Sequence, residues 1–244
     1  MNTTPFTSTN SVTSEQWLAA RRELLRQEKE LDRQRDRLSA RRRELPWVKV
    51  EKSYVFDSPH GRVTLGDLFV GRSQLIVYHF MLAPGWEEGC RSCSFVSDHF
   101  DGALPHLRAK DVSLVVVSRA PLDEISAFKA RMGWQFDWVS SHGSDFNYDY
   151  HVSFTEDESA RGKVDYNFEF QEVPVEEMPG LSVFARDDAG NIYHTYSTYA
   201  RGLDRLINTY NLLDLVPKGR NENPERTMEW VRFHDSYEPA GAAS

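Results

Sequence analysis

The chain has 244 residues, 40% of them hydrophobic and 12% aromatic, enough for one large domain or one domain with an appendage; six Trp, ten Tyr and fourteen Phe exclude a disordered chain. A formal net charge of -8 argues against a general nucleic-acid binder, because a phosphate-tracking surface needs excess Lys and Arg. No apolar run approaches the ~20 residues that span a bilayer, and Met1 to Val12 has neither the basic start nor the apolar core of an export signal, so a cytoplasmic protein without a membrane partner is expected.

Residues 1–12 read as a disordered N-terminus. Thr13 with Gln16 forms a capping-box pattern, and the helix it opens runs towards Leu45-Pro46, giving a helical arm over 13–46. Trp17, Leu24, Leu31, Leu38 and Leu45 recur every seven residues in it, with Leu18 and Leu25 beside two of them. Ten Lys or Arg face six Asp or Glu between Arg21 and Glu44, so the arm is basic and the remainder of the chain carries -12. The second apolar position of each heptad is mostly Arg, Glu or Gln, which describes a solvated helix with one narrow stripe. That stripe could lie on its own domain or make the arm a homodimer contact. A nucleic-acid surface is disfavoured by the interspersed acids and the lack of stacking aromatics.

Pro46 ends the helix. Tyr54-Val55-Phe56, a turn at Pro59-His60-Gly61 and the run Val63 to Phe69 read as a hairpin, and Gln74 to Phe80 as a buried strand. A loop with Pro84 and Gly85 leads to Gly89-Cys90-Arg91-Ser92-Cys93-Ser94, which opens a helix carrying Phe95, Val96, Phe100, Leu104 and Leu107. Val112 to Ser118 is a β-branched run suited to a central strand, and Pro121 opens a helix that stops at Gly133. A short strand spans Phe136 to Val139, and residues 140–178 form an irregular insert in which Val164 to Phe170 suits an extra strand or edge. Leu181 to Ala185 and Ile192 to Tyr196 flank Asp187-Asp188-Ala189-Gly190, a hairpin signal; Leu203, Leu206, Ile207, Tyr210 and Leu213 form a helix stripe. A tail from Pro217 offers Trp230 and Phe233 as attachment points. This order predicts an α/β domain over 47–216, a thioredoxin-like mixed sheet flanked by helices on both faces.

Strand, loop, Cys-x-x-Cys, helix is the context in which two thiols form a redox couple, and Cys90 and Cys93 are the only cysteines. First-turn N–H groups favour a thiolate; Arg91 adds to that, whereas Glu87 and Glu88 oppose it if they point inward. The bland alternative is two reduced thiols kept for packing. Metal binding is another, with His99 or His106 beside the thiols, but a structural zinc wants four ligands and there is no second Cys pair, so no metal is assigned. No Gly-rich phosphate loop or nucleotide fingerprint appears, and no cofactor is expected.

With these residues placed, the chain resembles the thioredoxin-like superfamily on the side of the alkyl-hydroperoxide-reductase-like proteins, through Val63 to Gly71 followed by a buried strand and cysteine. More closely it is similar to the family called domain of unknown function 899, through Gly85 to Cys90, Cys93-Ser94-Phe95, Asp98 to Gly102, Trp138 to Ser141, Ser144 to Asp149 and Pro217 to Arg220. The resemblance implies that Cys90 is the nucleophile of thiol-disulfide exchange and Cys93 the resolving thiol, acting on a disulfide-containing protein or small thiol substrate. It also implies a cis-proline beside the dithiol whose neighbour pairs with substrate backbone, a place that Met178-Pro179 occupies, with a trans turn proline as the alternative there, and Trp86 and Arg91 are taken as further substrate contacts. A peroxiredoxin pattern would put proline seven and Thr or Ser three positions before the attacking cysteine; Ala83 and Glu87 precede Cys90 there, and Trp86 and Cys90 precede Cys93, so peroxidase chemistry ranks lower. The rival class is a non-enzymatic binding or assembly module with the helical arm as its contact.

Overall fold

The computed structural model describes residues 11–237, so the N-terminus expected to be disordered lies mostly outside the described residues. The chain divides after Pro46 into two units. The first consists chiefly of α1 (Ser14–Arg43), whose N-cap Thr13 and Gln16 make the reciprocal capping box, with Gln16 N–H donating to Thr13 Oγ1 at 3.2 Å and Thr13 N–H to Gln16 Oε1 at 3.0 Å. Such a cap stabilises a helix by about 0.5–2 kcal/mol. No residue of α1 is buried, and Trp17, Leu24, Leu31 and Leu38 all stand exposed.

The second unit holds β1 (Val48–Lys49), β2 (Val55–Ser58), β3 (Gly61–Thr64), β4 (Gln74–His79), α2 (Arg91–Ser97), α3 (Leu104–Arg108), β5 (Val112–Ser118), α4 (Leu122–Met132) and β6 (Asp137–Ser140). After these come α5 (Phe146–Asp149), α6 (Glu156–Ala160), β7 (Val164–Tyr166), β8 (Glu169–Gln171), β9 (Gly180–Arg186), β10 (Ile192–Tyr199) and α7 (Asn208–Leu213). Eight strands form one sheet in the order β1-β10-β9-β4-β5-β6-β2-β3, and β7 pairs only with β8. Strands β4, β5 and β6 are parallel neighbours, while β9 runs antiparallel to both β4 and β10. The order β5-β4-β9-β10, with a helix leaving β4 and another closing the chain after β10, is the thioredoxin-like arrangement.

Because side chains alternate along a strand, β4 and β5 divide the core in two. Tyr78, Leu114 and Val116 face a layer built from Phe95 and Val96 of α2, Leu104 of α3, Ile125 and Phe128 of α4, and Tyr210 of α7. Leu75, Val77, Val115 and Val117 face the other way, onto Phe69, Phe146 of α5 and Phe56 of β2. Helical segments stand on both faces, but unevenly. The longer helices share one face, and the second is closed by the turn at Asp67–Phe69, the four-residue α5 and the sheet's own curled ends.

Two expected helices are also shorter than their apolar stripes. The cysteine helix stops at Ser97, then a 3-10 turn at Asp101–Ala103 precedes α3, where Pro105 has no N–H to continue the ladder. The Asp101 carboxylate instead accepts the backbone N–H groups of Gln135 and Phe136, each at 2.9 Å, fixing the start of β6. The stripe from Leu203 to Leu213 is split by Ile207, which is extended between a 3-10 helix and α7. The tail packs on the helical face, with Val231 and Phe233 buried there.

The insert joins the sheet through a buried ion pair. Glu177, 1% exposed, accepts from Arg119 Nε at 2.5 Å and from Ser153 Oγ at 3.0 Å, while Arg119 Nη1 donates to Tyr148 Oη at 2.7 Å. Burial pushes the Glu177 carboxyl up to about 7 despite the opposing Arg119 charge. Removing one partner of a fully buried pair costs ~3–5 kcal/mol, and Arg119 retains some water contact, so Arg119→Met is expected to lower unfolding free energy by roughly 2–3 kcal/mol at pH 8. The raised carboxyl is protonated well below pH 7, so the loss should shrink at pH 5; urea denaturation at both pH values checks this.

Candidate active site

The site is set by the exit of β4. Ser118 Oγ donates to Phe80 O at 2.7 Å and Phe80 N–H donates to Val117 O at 2.9 Å, which extends the β4–β5 pairing past the end of β4. The loop then turns at Pro84-Gly85, with Gly85 at φ +79°, and returns so that Cys90 N–H donates to Met81 O at 3.1 Å. Gly89 is buried under this return. A Cβ there would lie 2.5 Å from the Phe80 ring and 2.8 Å from the Phe128 ring, so only glycine lets the backbone approach the aromatic layer.

Cys90 is the N-cap of α2, and its carbonyl accepts from Ser94 N–H at 2.9 Å and Ser94 Oγ at 3.0 Å. Cys93 follows on the first turn. The two thiols are free, Cys90 half-buried and Cys93 buried at 1% exposure. This difference decides their chemistry. The Cys93 thiol, followed by the Cys93 and Ser92 N–H groups and the Ser92 hydroxyl, hydrogen-bonds the Cys90 sulfur and lowers it to about 7, against the burial that opposes ionisation. Burial, followed by the neighbouring Cys90 sulfur, pushes Cys93 well above the ordinary thiol range. One sulfur is disposed to be thiolate and the other to stay a thiol.

The charges expected to compete over Cys90 lie elsewhere. Glu88 accepts from Arg131 Nη1 at 2.5 Å, and Glu87 is exposed. Arg91 places its guanidinium 5.9 Å from the Phe233 ring. Trp86 is half-buried and packs on the helical-face core. Pro179 lines a cavity of about 210 Å³ with Tyr78, Cys93, Val96, Leu203 and Ile207, so it and the buried cysteine share one wall. Trp86, Arg91 and Met178 are not among the residues that line it.

The Met178–Pro179 peptide is trans, as are all described peptide bonds, which decides between the two isomers open to it. Both residues pair with the insert: Met178 N–H donates to Val152 O at 2.8 Å, and Pro179 O accepts the Tyr166 hydroxyl at 2.8 Å. The N–H that an incoming strand would use at Met178 is already taken.

His99 is held structurally. Its Nδ1–H donates to Phe95 O at 2.8 Å, and its Nε2 accepts from Thr209 N–H at 3.1 Å, a tautomer fixed by these partners. Asp98 accepts Trp134 Nε1 at 2.9 Å and pairs with His234 at 2.6 Å, so the Asp98-to-Gly102 motif ties helix, strand start and tail together. Sequence reasoning passed over Tyr78 as strand core. Its signal was a hydroxyl in an otherwise apolar buried run, a group that normally needs a partner.

The family model described as "Bacterial protein of unknown function (DUF899)" matches residues 6–237. The chain belongs to this family. No curated protein matches it. Among solved structures, a cysteine-to-serine mutant of Xanthomonas campestris peroxiredoxin Q is similar at 13% identity and a TM-score of 0.42, covering 65% of this chain and 90% of its own. A proposed thiol:disulfide interchange protein DsbE from Chlorobium tepidum is similar at 14% identity and a TM-score of 0.40, covering 68% and 97% respectively. For the peroxidoxin BcpB of Mycobacterium tuberculosis the figures are 13% and 0.37, with coverage of 68% and 94%.

The alkylation rate of Cys90, followed by mass spectrometry, is expected to rise with pH around a midpoint of about 7. That lies below the ~8.5 of an ordinary cysteine. Cys93→Ala removes the largest stabilising donor and should move the midpoint up.

Proposed function

We propose that this protein is a thiol-disulfide oxidoreductase in which Cys90 attacks a substrate disulfide and Cys93 releases the product. The observation that carries this reading is the division of labour between the sulfurs: a partly buried Cys90 lowered to about 7 beside a fully buried Cys93 pushed well up. A thiolate near neutrality attacks efficiently, and a neighbouring thiol that stays protonated does not compete with it for substrate. Cys90 thiolate displaces one substrate sulfur and forms a mixed disulfide. Cys93 then displaces the second, leaving a Cys90–Cys93 disulfide that an external dithiol reduces. Substrate contacts fall to Trp86 and Arg91 near Cys90 and to Pro179 beside Cys93. Met178 serves through its side chain and position, since its N–H is committed to Val152. A cytoplasmic setting suits the reading, because a single Cys-x-x-Cys in a reducing compartment works as a couple rather than a staple. Peroxidase chemistry ranks second for this site: Glu87 stands where a hydroxyl would orient the peroxide.

A separate observation favours an assembly role for the arm. Trp17, Leu24, Leu31, Leu38 and Leu45 repeat every seven residues on or just beyond a 30-residue helix with no buried residue, and each is 44–58% exposed. A single apolar stripe of that length suits pairing with the same helix of a second copy, its flanking charges remaining in water.

In graded thiol buffers the wild type should show a reversible two-electron transition between about -120 and -270 mV, the range of working dithiol enzymes. Cys90→Ser should abolish disulfide reduction, and Cys93→Ser should accumulate a mixed disulfide visible by mass; full reductase activity in Cys90→Ser would refute the assignment. For the arm, the combined Leu24→Gln, Leu31→Gln and Leu38→Gln variant should elute at the 28.2 kDa of one chain in light-scattering chromatography, against a dimer for the wild type, with its redox transition unchanged.

A further inference from the structure

The cavity beside Cys93 contains an unsatisfied group. Tyr78 lies on β4 and is completely buried, and its hydroxyl meets no partner of ordinary hydrogen-bond geometry among the described residues, the Cys93 sulfur being the acceptor near it. A buried phenol without a partner is costly, so it is rarely left by packing alone. The hydroxyl and the Cys93 thiol line the same cavity and lie close enough to interact electrostatically. A second phenol close by, Tyr166, is fully engaged: it donates to Pro179 O at 2.8 Å and accepts Ala200 N–H at 3.0 Å.

The remaining lining explains what Tyr78 could serve. Val96, Pro179, Leu203 and Ile207 make much of the wall apolar. The charged residues on it, Arg201 and Asp204, pair with each other at 3.3 Å, and Ser92 and Thr227 supply the other hydroxyls. Cys93 must pass through a thiolate to attack a mixed disulfide, and burial is what most opposes that charge. Of the fully buried residues lining the cavity, Tyr78 alone carries a strong donor. Burial, followed by the neighbouring Cys93 sulfur, holds the phenol well above its ordinary range, so it keeps its proton throughout the working pH.

We propose that Tyr78 is a further catalytic group, whose hydroxyl donates a hydrogen bond to the Cys93 sulfur as that sulfur ionises and attacks the mixed disulfide. This rests on the oxidoreductase reading and assigns the resolving half of it. In the step, the Cys93 S–H proton passes to the departing thiolate, or to water when that thiol is strongly acidic. A Cys93–Cys90 S–S bond forms as the bond between Cys90 and the substrate sulfur breaks. The protein dithiol is thereby oxidised by two electrons, and the substrate disulfide is reduced to two thiols.

The test is Tyr78→Phe in the full chain, with the chromogenic disulfide dithiobis-nitrobenzoate as probe and stopped-flow absorbance as readout. Wild type should release two thiolates in sequence, the first by attack of Cys90 and the second by attack of Cys93. In the variant the first release should stay within about twofold and the second should slow by roughly 10- to 100-fold, the size expected for a lost hydrogen bond to a charged group. Phenylalanine keeps the ring and removes only an oxygen without a partner, so the melting temperature should not fall. The Cys93 titration, followed by alkylation in a Cys90→Ala background, should move to higher pH when Tyr78 becomes Phe, a shift that a packing role would not cause. An unchanged second release together with an unchanged Cys93 titration would overturn the role of Tyr78 and leave the exchange mechanism standing. A wild type that gives no second release and no internal disulfide would overturn both.

Discussion

Two cysteines three residues apart begin with the same chemistry, and the depth at which each sits makes them different. Cys93 is pressed into the aromatic layer between sheet and helices, where ionisation is opposed by the loss of water, while Cys90 caps the helix at the edge of that layer. The buried thiol becomes a donor to the outer sulfur, so the desolvation that disables one thiol helps to activate the other. The geometry of the site serves to maintain this difference in depth.

Several neighbours maintain it. Gly89 lets the chain pass against Phe80 and Phe128 with no room for a side chain, which fixes how far Cys90 stands above the core. Asp101 and Asp98 secure the loop before β6 and the tail, so that Trp134 and Phe233 close the layer from above. Beneath the dithiol, β4 turns Tyr78 towards the cysteines and His79 towards the opposite face. There the His79 ring hydrogen-bonds Ser182 at 2.9 Å, and burial holds it neutral, with its affinity for a proton lowered to about 3. The alternation of one strand thus assigns a phenol to the cysteine face and a neutral imidazole to the opposite face.

The insert changes the surface that a thioredoxin-like sheet presents. Its bridge between Ser153 and Glu177 and the bond from Met178 to Val152 occupy the backbone edge beside Pro179, and the Arg119–Glu177 pair holds that edge to the end of β5. A substrate that paired with this edge as an added strand would compete with the protein's own chain.

Local elements were legible along the chain. Capping at Thr13, the β-branched run of β5, the hairpin around Asp187 to Gly190 and the position of the Cys-x-x-Cys after a buried strand depend on neighbours along the chain, which periodicity and turn residues report directly. A thioredoxin-like mixed sheet followed from that sequence of elements, and the order of its strands came from the fold. Tertiary structure decided the rest, because it depends on partners distant in sequence. That the longer helices share one face, that Pro179 is trans, that Arg91 turns to Phe233 and Glu88 to Arg131, and that the Tyr78 hydroxyl stands unpaired beside Cys93 are all set by packing across the sheet. The spacing of the two cysteines and their place after a buried strand are legible along the chain. Which sulfur is acidic depends on how much water each retains, and that is a property of the folded core.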